Sequence, residues 1–182
     1  MRVISGIYKG RNIQTPKNFR ARPTTDFAKT GLFNILNNYF DFESIRVLDL
    51  FAGTGSISFE FASRGCKSIE LVENDRVHMA FIKKLIREWE ITGVTTSETS
   101  AFSYIKYPKA PFDIIFCDPP FDMEGIELIP SNILDKNLLT DQGWLILEHS
   151  DKYKFEKADG FREVRNYGSV YFSFFLKKAP KA

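Results

Sequence analysis

Cysteine and histidine are scarce in this 182-residue chain, which holds only Cys66, Cys117, His78 and His149. They are too few and too scattered for a disulfide framework or a Cys/His zinc site, so no metal is expected. The cysteines read as small buried hydrophobes of a reducing compartment, and the histidines as surface or internally satisfied side chains. No apolar run is long enough to span a bilayer, and the opening stretch "MRVISGIYKGRNIQ" lacks the apolar segment of a signal peptide. A soluble, cytoplasmic protein with no membrane partner is expected. Internal repeats and low-complexity tracts are absent. A Lys-Ser/Thr pair is also missing after the glycines at 53 and 55, which excludes a Walker phosphate loop.

A large net charge is lacking as well: 25 basic against 23 acidic residues leave +2. The distribution is uneven, however. Residues 1–30 carry seven basic side chains (Arg2, Lys9, Arg11, Lys17, Arg20, Arg22, Lys29) against Asp26 alone, leaving 18 basic and 22 acidic residues for the rest. A basic arm on an acidic body is the footprint of a polyanion contact, although a mobile basic terminus has the same composition. With 43% hydrophobic and 15% aromatic residues, the chain can bury one sizeable core and is short for two domains.

Hydrophobic patterning gives the fold class. "RPTTDFAKTGLFNIL" offers Thr24, Thr25 and Asp26 as capping candidates, followed by a helix with Leu32, Ile35, Leu36 and Tyr39 on one face. From Arg46 onward, short apolar runs alternate with helical patterns. "RVLDLF" precedes a helix from about Ser56, and "SIELVE" a helix from Arg76 to about Glu90. A "VTTSE" strand and a brief helix follow, then "FDIIFC", another helical segment and "GWLILEHS". This alternation predicts an α/β, Rossmann-like, mostly parallel sheet with helices on both faces. "FREVRNYG" and "SVYFSFFLKK" are separated by a Gly-Ser turn too short for a crossover helix, so they predict a C-terminal antiparallel hairpin. The tail "KKAPKA" is expected to be disordered.

The first strand runs into "VLDLFAGTGSIS", where Gly53 and Gly55 allow a sharp turn and close backbone approach to a ligand at a helix N-terminus. The dinucleotide fingerprint is only half matched, because Ser58 replaces the third glycine. Glu73 ends the second strand, 20 residues after Gly53, where doubly wound folds place an acid on ribose hydroxyls. NAD and S-adenosylmethionine both remain open on these residues. Asp49 lies inside an apolar strand, where burying a carboxylate without a purpose is costly. A cationic sulfonium nearby supplies such a purpose.

"FDIIFCDPPF" (112–121) closes an apolar strand on an acid, two prolines and an aromatic ring. The prolines hold Asp118 and Pro119 extended with few alternatives. An exocyclic amine on a base is a poor nucleophile because its lone pair is delocalised into the ring. Asp118 and the carbonyl of Pro119 offer two rigid acceptors for its N–H bonds, and Phe121 a surface for a flipped base. Nothing in hydride transfer needs such a motif, so a nicotinamide oxidoreductase fits least.

"DPPF" after the fourth strand with "DLFAGTG" after the first looks like the class I amino-methyltransferases. More closely, "RVISGIYKGR", "RPTTD…LFN", "DLFAGTGSISFE", "LVEND" and "CDPPF", in that order, resemble the bacterial 16S ribosomal RNA guanine-N2 methyltransferase family, RsmD, over nearly the whole chain. The resemblance implies a seven-stranded methyltransferase domain over 26–178. A basic RNA-binding extension (1–25) precedes it and a disordered tail (179–182) follows. It implies a monomer acting on 16S rRNA in an assembling small subunit. By position it implies that Asp49, Phe51, Gly53, Gly55, Glu73 and Ser100 bind S-adenosylmethionine. Asp118, Pro119, Pro120 and Phe121 would hold the target guanine, and Arg2, Lys9, Arg11, Arg20 and Arg22 the RNA. Phe27, Lys29 and Thr30 stand where the family usually has Arg, Arg and Glu, and Ser100 where an Asn or Asp often meets the adenine amine. The rival readings are an adenine-N6 methyltransferase on DNA or RNA, which the Asp-Pro-Pro-Phe chemistry serves equally, and a non-catalytic RNA-binding domain of the same fold.

Overall fold

A computed structural model describes residues 1–16, 24–107 and 110–177. In chain order they form α1 (Asp26–Leu36), β1 (Arg46–Leu50), α2 (Ser56–Ser63), β2 (Ser68–Glu73), α3 (Arg76–Glu88), β3 (Val94–Glu98), α4 (Ala101–Tyr104) and β4 (Phe112–Cys117). A 3-10 turn (Ile126–Leu128) leads to α5 (Ile129–Leu134), β5 (Leu139–His149), β6 (Phe161–Tyr167) and β7 (Val170–Leu176). No helix among the described residues is long and apolar enough to cross a membrane.

The seven strands pair in the order β3-β2-β1-β4-β5-β7-β6. The first five are parallel, and β7 runs antiparallel to both of its neighbours. The central strands are near-continuous apolar runs because both of their faces are covered. Val47, Ile114, Phe116 and Ile146 face the core under α1, α2 and α3, while Leu48, Ile115, Leu145 and Leu147 face the core under α4 and α5. After β3 the chain crosses back over β1 to lay down β4. This reversal of strand order opens a crevice at the carboxyl ends of β1 and β4. The expected C-terminal hairpin is present: Tyr167 pairs with Val170 across Gly168–Ser169, and Gly168 has the positive φ of 70° that a two-residue turn favours.

Thr25 caps α1, its side chain accepting from the Ala28 N–H at 3.1 Å. The buried face of this helix differs from the expected one. It comprises Ala28, Lys29, Leu32, Phe33 and Leu36, and the helix stops at Leu36, so Tyr39 stays 57% exposed and leans on Trp144 at 4.7 Å instead.

The first 13 residues fold onto α1 and α2. Val3 and Ile13 are buried in the main core, held by an antiparallel bridge between Arg2 and Asn12. The Glu60 carboxylate accepts the Ile4 and Ser5 N–H groups at 2.7 and 3.0 Å, and Ser63 Oγ accepts the Tyr8 N–H at 2.9 Å. Lys29, one of the seven basic residues of the N-terminal stretch, is fully buried. Its Nζ donates to the Arg2 carbonyl at 2.6 Å and Ser56 Oγ at 3.0 Å, and lies 3.6 Å from Glu60. Burial lowers the Lys29 pKa against the opposing pull of Glu60. This cation therefore ties the terminus, α1 and α2 together, and faces no solvent. Arg20, Arg22 and the tail 178–182 lie outside the described residues.

Candidate active site

A cleft of about 780 Å³ opens at the carboxyl ends of β1, β2 and β4, within the range of small-ligand and cofactor sites. Its walls bring together Asp49, Phe51, Gly53, Glu73, Ser100, Asp118, Pro119, Pro120 and Phe121, residues 49 to 121 in the chain. Gly55 is not among the lining residues. Its φ of 74° caps the start of α2, and a Cβ there would sit 3.0 Å from the Phe59 ring, so this glycine serves the turn and its packing.

The turn after β1 is shaped by backbone that side chains rarely adopt. Phe51 has φ 62° and Gly53 φ 54°. For Phe51 this left-handed conformation costs on the order of 1–2 kcal/mol, and it turns the chain out of the sheet directly beneath the cleft. The Phe51 ring then meets Phe102 edge to face, with centroids 6.1 Å apart. Glu73 braces the same turn, Oε2 accepting the Gly53 N–H and Oε1 the Asp75 N–H, both at 2.7 Å. Each carboxylate oxygen retains a further lone pair for a ligand hydroxyl. Ser100 caps α4, its Oγ accepting from the Ser103 N–H at 3.1 Å.

Asp49 is 1% exposed, and its Oδ2 accepts from Ser58 Oγ at 2.6 Å and from the Ser58 N–H at 3.2 Å. Ser58, where the dinucleotide pattern has glycine, therefore supplies a hydrogen-bond donor to the buried acid. Burial pushes the Asp49 carboxyl up to about 7 despite these bonds, with Glu73 adding to the rise. Asp118 is also pushed well above the usual carboxylate range, by burial first and then by the charges of Glu148 and Asp49. A cation placed among these acids favours their ionised forms.

Several lining residues were not expected in the site from sequence: Thr24, which reads there as a capping candidate, His78, which reads as a surface or internally satisfied histidine, and Thr99, Phe102 and Glu148. Glu148 carried the same sign as Asp49, an acid closing the apolar run of β5, and it is 3% exposed. His149 next to it plays no part in the cleft. Its Nδ1–H donates to the Ser150 carbonyl and its Nε2 accepts from Ser173 Oγ, both at 2.8 Å, and burial lowers its pKa. Cys66 and Cys117 are buried and free. Among the described residues no cluster of His, Cys, Asp and Glu is arranged to hold a metal ion.

Among the described residues, Arg2, Lys9 and Arg11 of the arm lie on the surface outside this cleft. Arg2 pairs with Asp26 at 3.1 Å, Lys9 is exposed, and the Arg11 guanidinium lies 5.1 Å from the Tyr8 ring and 5.5 Å from that of Trp89. Met1 Sδ, 3.5 Å from Thr54 Oγ1, marks where the arm reaches the rim.

A doubly wound sheet with a reversed seventh strand, and a glycine turn and Asp-Pro-Pro-Phe facing one crevice, define a Rossmann-like class I methyltransferase. Known proteins agree. The family model described as "Conserved hypothetical protein 95" matches residues 1–176. Ribosomal RNA small subunit methyltransferase D of Escherichia coli K12 is 32% identical over 164 residues, covering 90% of this chain and 79% of that one. The protein of the same name from Buchnera aphidicola (Acyrthosiphon pisum) is 34% identical over 152 residues, covering 82% and 78%. The solved Escherichia coli protein yhhF superposes with a TM-score of 0.84 at 26% identity over 98% of both chains. The chain belongs to the ribosomal RNA small subunit methyltransferase D family.

Proposed function

We propose that the protein methylates the exocyclic N2 amine of one guanine in 16S rRNA, using S-adenosylmethionine, as a monomer acting in the bacterial cytoplasm on an assembling small subunit. The observation that carries this reading is the meeting of the Asp118-Pro119-Pro120-Phe121 segment with the glycine turn in one cleft. Family membership supports rRNA as the acceptor.

The acids suit the cofactor: six carboxylates, Asp49, Glu73, Asp75, Asp118, Asp122 and Glu148, line a site with no basic side chain among its lining residues other than His78. A sulfonium and an α-ammonium relieve that imbalance. When bound, the cofactor supplies an electrophilic methyl group. Glu73 would hold its ribose, the 53–55 turn its amino-acid portion, Phe51 with Phe102 the apolar wall for its adenine, and Ser100 a polar contact at that wall. Asp118 and the Pro119 carbonyl hold the two N–H bonds of the target amine, so that its lone pair is aimed and no free rotation remains. Phe121 stacks on the extruded base. Residues 1–25 act as the RNA-binding extension of the 26–178 domain, through Arg2, Lys9, Arg11, Arg20 and Arg22.

The raised Asp49 pKa gives a pH signature. Its folded value, about 7, lies above the ordinary 3.8, so ionising it costs stability as pH rises through that interval, and a bound cation offsets the cost. Cofactor affinity should therefore rise as pH increases towards about 7 and level off above it, and Asp49→Asn should reduce that slope. Calorimetry finding a pH-independent affinity in the wild type would remove Asp49 from the cation's surroundings.

The arm is best probed by charge, because deleting residues 1–22 would also strip Val3 and Ile13 from the core. Lys9→Gln and Arg11→Gln should each lower the magnitude of the salt slope of RNA binding by roughly 0.7–0.9. A folded double variant with unchanged affinity and slope would take both off the RNA. The class of acceptor is tested by incubating the protein with methyl-labelled cofactor and small-subunit particles, free 16S rRNA, DNA or protein. Label is expected in the RNA, and label confined to DNA or protein would reject the reading.

A further inference from the structure

The first helix carries a second stripe of residues at helical spacing, apart from the one that packs on the core. Ala28, Lys29, Leu32, Phe33 and Leu36 turn inward, whereas Phe27, Thr30, Gly31, Asn34, Ile35 and, just past the helix end, Asn38 line a groove of about 410 Å³ that Tyr167 of β6 completes. The outer face of a surface helix is normally rich in charge. Among the described residues lining this groove none is charged. Phe27 is 69% exposed, and its ring meets that of Tyr167 edge to face, with centroids 5.6 Å apart. Gly31 makes room for the arrangement, because a Cβ there would stand 2.0 Å from the Tyr167 ring.

Both walls of the groove continue walls of the active-site cleft. Thr24 and Thr25 line the cleft shortly before Phe27, and Val170, which also lines it, pairs with Tyr167 across the hairpin turn. Resting on the reading that the cleft takes an extruded guanine of rRNA, we propose that this groove binds the base of a nucleotide adjoining the target, stacked on Phe27 with its edge toward Asn34 and Asn38. Extruding one base strips its neighbours of a stacking partner, and an exposed aromatic ring replaces that partner for any base. The two exposed amides offer both donors and acceptors to a base edge. The groove also opposes no phosphate, since its described lining lacks the carboxylates that crowd the cleft. Arg2, paired with Asp26 directly before Phe27 in the chain and 64% exposed, adds a cation on this side.

Small-subunit particles reconstituted around 16S rRNA that is intact, or lacks one base on either side of the mapped target guanine, separate this role from a structural one. The kcat/KM values are compared within each of wild type, Phe27→Ala and Phe27→Trp. Wild type should lose roughly 5–100-fold when the stacked base is missing, the scale of one base–aromatic stack. Phe27→Ala should be slowed by a similar factor on intact particles and be nearly insensitive to the missing base. Phe27→Trp, which keeps a flat ring, should retain the sensitivity. Because the ratio is internal to each protein, a lower active fraction does not move it. A wild type indifferent to the missing base on both sides would overturn the proposal. So would a Phe27→Ala protein as sensitive to it as wild type, which would make the groove a brace for the hairpin or a docking face for a protein of the particle. Failure of the wild type to form N2-methylguanosine on intact particles would instead overturn the functional reading beneath it.

Discussion

Asp118→Ala should lower the single-turnover rate of methyl transfer by about 10²–10³, the scale for removing one preorganised hydrogen-bonding group, while Asp118→Asn should keep measurable activity. The reason lies in what transfer leaves behind. Once methylated, the amine carries an extra proton and a positive charge, and that proton is acidic enough to leave to water after the difficult step. No strong base is needed during transfer. On the proposed reading, Asp118 would act as an acceptor that orients an N–H bond and stabilises developing positive charge from a backbone made stiff by two prolines. An amide keeps one acceptor oxygen, whereas Ala keeps none. The raised pKa of Asp118 sets the pH dependence. A protonated carboxyl is a weaker acceptor, so the wild-type rate should fall as pH drops through that raised value, and the Asn variant should not share the fall. Cofactor affinity, measured separately, confines the comparison to the chemical step. Complete and equal inactivity of both variants would show that the charge or basicity of the carboxylate is indispensable.

The largest loss of stability is expected at Glu60. This buried carboxylate accepts from Ile4, Ser5 and Arg64 Nε, the last at 2.9 Å, and lies against the buried Lys29. Glu60→Ala removes the counter-charge from a cation with no access to solvent and frees two backbone donors of the arm. Breaking a buried pair in this way costs about 3–5 kcal/mol, a fall in Tm on the order of 10 °C for a domain of this size. Lys29→Met in the Glu60→Ala background should recover part of the loss, because the orphaned cation goes with it. Thermal unfolding of the single and double variants checks this. A Glu60→Ala protein melting within a degree or two of wild type would mean that the arm is held by its apolar residues alone.

Periodicity made the sheet legible, because a two-residue or 3.6-residue repeat is a local property. The alternation from Arg46 to His149 and the Gly-Ser hairpin both appear as expected. The cleft was legible where unusual chemistry interrupts a strand end: the glycines after β1, the acid after β2, and the prolines after β4. Glu148 carried a similar sign but sits in a longer, less distinctive run. Lys29 and Glu60 were out of reach for a different reason. Apart from Arg64, four residues from Glu60, their partners lie 27 to 56 residues away in sequence, so Lys29 read as one more charge of a basic arm. Tyr39 shows the limit of periodicity itself, since the apolar spacing continues past Leu36 while the helix does not.

The central claim is that this cleft aims the exocyclic amine of a guanine. It is tested most directly by nucleoside mass spectrometry of small-subunit rRNA, taken from cells lacking this protein and then treated with the purified enzyme and S-adenosylmethionine. One new N2-methylguanosine per rRNA, absent when Asp118→Ala replaces the wild type, is the predicted result. N6-methyladenosine in its place, or no new methylated nucleoside despite measurable cofactor binding, would contradict the account.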